Sequence, residues 1–161
     1  MGTGKTSVGK ALSKKLGREL IDLDLRIEAK EKRKIREIFE KEGEAHFRAL
    51  EKEMVSEIAG KENAVITTGG GAVLDPENIT TLRKNGWIVA LSARPETIFE
   101  RVKNSQQRPL LKGGNLLAEI ERLLDSRKPF YENCDFSFKT DDLLSSEVAD
   151  HIIELLETET H

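Results

Sequence analysis

Apolar positions recur along this chain at two alternating spacings. Val8, Ala11, Leu12 and Leu16 fall at i, i+3, i+4 and i+8, the stripe of a helix that Gly17 ends as a C-cap. Glu19 to Asp24 reads as a short strand, and period-two alternation puts its two last acids, Asp22 and Asp24, on one side. A polar helical stretch runs from Leu25 to Glu42 and breaks at Gly43. Phe47, Leu50, Met54 and Ile58 then form the stripe of a second long helix, stopped by Gly60. Ala64 to Thr68 is a compact β-branched strand followed at once by Gly69, Gly70 and Gly71. The pattern continues with a helix over 76–84, an almost wholly apolar strand over 87–91 and a helix from Pro95 to about Lys103. A helix from Leu116 to about Lys128, a strand over 136–139 and a last helix after Ser145 and Ser146 complete it. Asn104 to Asn115 is polar with Pro109 and paired glycines, a loop long enough to be a lid.

Strands alternating with helices predict an α/β fold with a parallel sheet covered on both faces, in one domain over 1–161. Ligands of such folds sit at the carboxyl ends of the strands, where Asp22, Asp24 and the glycine triple fall. Phe47 and Trp87 are expected in the core.

Composition narrows the function. A chain of 161 residues with 37% apolar and 34% charged residues has the balance of a folded domain rather than a disordered one. Its net charge of −3 offers no general basic face, which excludes broad nucleic-acid binding. No apolar run approaches the ~18 residues of a membrane span. No secretory leader is visible, and the single Cys134 is read as a buried structural thiol, so a cytoplasmic location is expected. No exposed apolar stripe asks for a partner, so a monomer is expected. His46, His151 and His161 lack metal-ligand spacing.

Gly4-Lys5-Thr6 supply the last three positions of the phosphate-loop motif G-x-x-x-x-G-K-[ST], whose leading Gly would lie upstream of Met1. In such a loop the backbone N–H groups, here of Gly2 through Ser7, converge on an anion, helped by the dipole of the helix that follows. Lys5 would span the outer phosphates and Thr6 would hold Mg²⁺ through its hydroxyl. Taken alone, the Gly-Thr-Gly start fits a disordered tail equally well.

Further motifs follow in order: the strand ending Asp22-Leu23-Asp24, the segment Gly43 to Glu51, the glycine triple, Arg108-Pro109-Leu110-Leu111, and Ser126-Arg127-Lys128-Pro129-Phe130-Tyr131. In this order and spacing the chain resembles the shikimate kinases over essentially its whole length. The resemblance implies a three-layer P-loop kinase sandwich with substrate-binding helices over about 25–60 and a lid over about 104–115. It implies transfer of the ATP γ-phosphoryl group to the 3-hydroxyl of shikimate, on the route to chorismate and the aromatic amino acids.

The chemistry of shikimate agrees. Its carboxylate suits arginine forks, for which the resemblance gives Arg48 and Arg127, and its hydroxyls suit a carboxylate acceptor, Asp24, able to take a proton. Gly69, Gly70 and Gly71 would let backbone approach the ring. Asp22 would reach Mg²⁺ mostly through water, and Lys5 with the lid arginine Arg108 would neutralise the moving charge. The resemblance also lays Arg101 along the ATP base.

Blander readings stay open. Asp22 and Asp24 suit helix caps, Arg48 suits a surface pair with Glu44 or Glu51, the glycines suit a turn, Arg108 suits a solvated loop, and Arg127 suits a helix C-terminus. Another small-molecule kinase of the same fold, or a non-catalytic binding domain, are the competing functions. The chain also departs from the family. The family's central first strand is absent, a loss of roughly ten residues. Leaving two strands unpaired should exceed the ~5–15 kcal/mol net stability of a domain, so Met1 is expected to be an internal methionine of a longer working protein. No proline follows the last strand near Thr140-Asp141-Asp142, so the residues contacting adenine go unnamed.

Overall fold

The structure, a computed structural model, describes residues 2–104 and 114–159. Helix α1 (Lys5–Leu16) ends as its sequence requires, with Gly17 at φ 63° and its N–H donating to the Ser13 carbonyl. Strands β1 (Glu19–Asp22) and β2 (Ala64–Thr67) pair in parallel, Glu19 opposite Ala64 and Asp22 opposite Thr67. Leu20 and Ile21 point to opposite faces of this pair. Leu20 lies against Gly9 of α1, and Ile21 enters a core with Leu23, Ile27, Phe47 and Met54. Helices therefore cover both faces, as a parallel sheet demands. Gly9 sits so near β2 that a Cβ there would lie 2.3 Å from Thr67 Cγ2.

Strands β3 (Val89–Ser92) and β4 (Phe136–Lys139) form a second parallel pair, Val89 opposite Phe136. Val8 and Leu12 of α1, Leu91 of β3, and Val148 and Ile152 of α7 (Ser145–Glu159) build the core on this side. Ile98 and Val102 of α5 (Pro95–Val102) pack on Ile120 of α6 (Leu116–Tyr131). Between β2 and β3 runs a cleft of about 420 Å³, bordered by Ile66, Val89 and Leu91 with Leu12 and Ile152. The parallel strands thus form two separate pairs rather than one continuous sheet.

Four expectations change. Asp22 ends its strand, and its Oδ1 accepts from Leu25 N at 3.1 Å as the N-cap of α2 (Leu23–Glu31). Asp24 therefore lies in the first turn of a helix, not beside Asp22 on one side of a strand; a cap hydrogen bond wins the backbone over continued extension. The polar stretch divides at Lys32, in the left-handed region at φ 53°, and the helical run α3 (Ile35–Ile58) that follows breaks at Gly43 as expected, where φ 84° and ψ 176° are not helical. Buried Ile38 and Phe47 on either side of that break share one core, and the Phe39 and Phe47 rings meet tilted at 4.8 Å. Trp87 is 50% exposed and rests on Phe136 at 5.4 Å, because the strand begins only at Val89. Cys134 is half-buried rather than buried. Helix α4 (Pro76–Arg83) starts on an Asp75 cap, with Glu77 N donating to Asp75 Oδ1 at 2.9 Å. Among the described residues no helix is long and apolar enough to cross a membrane.

Candidate active site

The loop before α1 takes its shape from glycine. Gly2 and Gly4 adopt φ 60° and 93°, and a Cβ on Gly2 would meet Val102 Cγ1 at 2.9 Å. The loop carbonyls are held from behind. Thr140 Oγ1 donates to Thr3 O at 2.8 Å, and Arg101 Nη1 donates to Gly2 O and to Thr140 Oγ1, each at 3.1 Å. Arg101 Nη2 adds a bond to Thr140 O at 2.8 Å. Gly2, Thr3, Gly4, Lys5, Thr6 and Ser7 all line a cavity of about 490 Å³, which Asp24, Gly69, Gly70 and Arg101 share. Backbone donors, the positive end of α1 and the Lys5 ammonium make this an anion site.

On its far side the cavity meets a buried cluster of charge. Asp24 is held above the usual carboxylate range, chiefly by burial and then by Asp22, while Lys5 and Arg48 pull it back. Its Oδ1 is buried and has no hydrogen-bond partner among the described residues. Glu51, 1% exposed, is likewise raised by burial against the pull of Arg48 and Arg127, and its Oε1 is also unpartnered. Arg48 Nη1 donates to Glu51 Oε2 at 2.8 Å, and its Nε and Nη2 reach Glu44 Oε1 at 3.4 and 3.2 Å. Arg127 is buried on α6.

The glycine triple holds this cluster together. A Cβ on Gly69 would lie 3.1 Å from Asp24 Oδ1 and 3.5 Å from Glu51 Oε1, and one on Gly71 would lie 2.2 Å from Arg48 Nη2. Hydrogen at the Gly71 Cα is what lets the guanidinium close on the loop, and at Gly69 it gives Asp24 room. Gly69 O accepts from Ala72 N, Gly71 O from Leu74 N, and Gly70 O from Tyr131 Oη at 2.6 Å. All three carbonyls are engaged with the protein.

The expected site residues divide accordingly. Lys5, Thr6, Asp24, Gly69 and Gly70 share one cavity. Arg48 and Arg127 do not line it; they join it through Glu51 and the glycine loop. Arg48 makes both of the pairs its helical spacing allowed. Arg101 lines the cavity, but its donors hold the phosphate loop. Arg108, and the lid from 105 to 113, lie outside the described residues. Of the two oxygen donors expected for Mg²⁺, the Thr6 hydroxyl belongs to a residue lining the cavity, whereas Asp22, which caps α2 through Oδ1, does not line it. Among the described residues there is no cluster of three acids, cysteines or histidines. That donor set fits Mg²⁺, which keeps its waters and leans on nucleotide phosphates, and fits a metal needing an all-protein cage poorly.

Three site residues escaped the sequence reading: Glu51, Tyr131 and Thr140. Glu51 had a signal, since an acid at 51 interrupts the buried face marked by Phe47, Met54 and Ile58. Tyr131 and Thr140 act on partners 61 and 137 residues away, and no local pattern announces that.

A family model for shikimate kinase matches residues 1–157. The shikimate kinase of Caldicellulosiruptor saccharolyticus is 48% identical over 155 residues, 96% of this chain and 90% of that protein. That of Thermodesulfovibrio yellowstonii is 48% identical over 154 residues, 96% of this chain and 89% of its own. Among solved structures, shikimate kinase from Acinetobacter baumannii in complex with shikimate matches at TM-score 0.95 and 35% identity, covering 99% of this chain and 89% of that one. The Bacteroides thetaiotaomicron shikimate kinase matches at TM-score 0.90 and 39% identity, covering 98% and 94%. Sequence model, curated relatives and backbone geometry agree over nearly the whole length, and the chain belongs to the shikimate kinase family.

Proposed function

We propose that this chain transfers the γ-phosphoryl group of ATP to the 3-hydroxyl of shikimate, giving shikimate 3-phosphate and ADP, as a cytoplasmic monomer. The observation that carries the reading is the position of Asp24, a buried carboxylate that feels Lys5 of the phosphate loop on one side and Arg48 on the other. Phosphoryl transfer asks for alignment and charge neutralisation more than for covalent chemistry.

In this reading the backbone of Gly2 through Ser7 cradles the phosphates and Lys5 follows the charge on the γ-phosphoryl. Thr6, and Asp22 through water, would hold Mg²⁺, which would supply charge that neutralises the phosphates. Asp24 accepts the attacking hydroxyl and takes its proton; burial makes it a stronger base than an exposed aspartate. Arg48 spends one Nη1, one Nη2 and the Nε hydrogen on Glu51 and Glu44, which leaves one N–H on each terminal nitrogen for a carboxylate. Arg127 supplies the second fork. The glycine loop, its carbonyls engaged elsewhere, presents N–H groups to ring hydroxyls. Arg108 completes the charge balance from the lid, and Arg101 borders the base.

Coupled ADP release tests this with shikimate, gluconate and nucleoside monophosphates as acceptors. Turnover confined to shikimate, abolished by Lys5→Ala with shikimate binding retained, is expected. Faster turnover of another acceptor, or shikimate binding with no turnover in the presence of Mg²⁺ and ATP, would replace the proposal.

A further inference from the structure

We propose that Tyr131 is a positioning residue for the substrate, tying the carboxylate-binding Arg127 to the Gly69–Gly71 loop through its hydroxyl. The inference rests on the proposed site and adds a residue to it. Tyr131 and Arg127 lie one helical turn apart at i and i+4 on α6, so their side chains share a face. Tyr131 Oη donates to Gly70 O at 2.6 Å, at the short end of the hydroxyl range.

Arg127, one turn before it on the same face of α6, sets the charge around the phenol. Burial raises the Tyr131 pKa, and the Arg127 guanidinium, as charge and as hydrogen-bond donor, opposes that rise, with Arg48 helping and Glu51 countering. A cation beside a hydroxyl makes it a better donor, so Arg127 strengthens the bond from Tyr131 to Gly70 O.

Two consequences follow for the loop. Its outer carbonyls, on Gly69 and Gly71, are tied by the short turn Ala72–Leu74, whereas among the described residues the middle one is held by a side chain from another element. Tyr131 is thus what fixes the Gly70–Gly71 peptide plane. In a trans peptide the N–H points opposite to the C=O, so drawing Gly70 O toward α6 turns the Gly71 N–H away from α6. Gly71 is also the seat of Arg48, whose Nη2 occupies the place of a Cβ. One phenol therefore sets the loop against which both arginines of the proposed carboxylate grip are arranged.

Tyr131→Phe keeps the ring and deletes only the hydroxyl. Shikimate titrated calorimetrically into the variant should bind about three- to tenfold more weakly, the loss of one polarised hydrogen bond. The KM for shikimate should rise in parallel, while the KM for ATP and kcat stay within about twofold. The binding is measured well below both melting midpoints, so a lowered midpoint does not blur it. A packing role would leave shikimate affinity unchanged, since Phe fills the same volume, and that result would overturn the proposal. Equal weakening of ATP and shikimate would overturn it too, because the effect would not be local to the loop. Arg127→Ala separates the levels: if it weakens shikimate and Tyr131→Phe does not, only the tyrosine's role fails. If Arg127→Ala itself leaves shikimate binding unchanged, the proposed carboxylate site fails.

Discussion

Arg48 and Glu51 meet at 2.8 Å, one turn apart on α3, with the carboxylate 1% exposed and the guanidinium half-open to the site. The acid serves as a strut that holds the arginine against Gly71. Burial nonetheless raises the Glu51 pKa in spite of that partner, so ionising the strut costs more in the fold than in the unfolded chain.

That cost has a sign that can be measured. The native state keeps the Glu51 proton to a higher pH than the unfolded chain does, so stability falls as pH rises from 4.5 through the raised native value. Glu51→Gln removes the titration, and Arg48 still has Glu44. The variant should be at least as stable as the parent in urea at neutral pH, and the difference should shrink below pH 4.5, while shikimate affinity drops. A variant much less stable at neutral pH would show that the ion pair outweighs the burial.

Asp24 makes a second pH prediction. As proposed base it must be ionised, and burial with Asp22 beside it holds its pKa above 3.8. The acid limb of kcat/KM should therefore lie above the ordinary aspartate range, with activity lost as pH falls through it. Asp24→Asn should lower kcat by about a hundred- to ten-thousandfold and abolish that limb. A limb surviving in the variant would assign the titration to another group.

Two glycines should fail differently. Alanine at Gly9 drives a Cβ to 2.3 Å from Thr67 Cγ2, between packed elements that cannot yield, and should cost about 1–3 kcal/mol of stability. Alanine at Gly71 meets only the end of Arg48, which can swing aside, so the fold should survive while shikimate binding weakens. Denaturant midpoints and calorimetric titrations of the two variants check the contrast, and unaltered shikimate affinity in Gly71→Ala would remove Arg48's seat from the binding site.

Thr140 is 3% exposed and holds the phosphate loop through Thr3 O. Thr140→Val keeps the shape, strands an Arg101 N–H and frees the loop, so stability should fall by about 1–3 kcal/mol. The KM for ATP should rise and that for shikimate should not; a change confined to shikimate would place the threonine's influence elsewhere.

Where short-range chemistry decides, the residues announced their structure. Gly17 ends α1 and Asp75-Pro76 starts α4, because each is settled within one turn of chain. Where two local signals compete, the pattern misled: alternation argued that Asp24 was on a strand, yet the Asp22 cap turned the chain into a helix two residues earlier. Trp87 was expected in the core, but burial depends on what lies across the chain, and at 50% exposed it rests on Phe136 with one side open.

The site divides in the same way. A glycine-rich turn before Lys5, acids after a strand and a glycine triple follow from sequence order, since backbone conformation and strand direction place them at one end of the fold. Which charges meet there was decided by tertiary packing. Helical spacing allowed the Arg48–Glu51 pair but not its burial, and Tyr131 reached Gly70 and Thr140 reached Thr3 because packing brought distant segments together, where a buried polar group without a partner is costly.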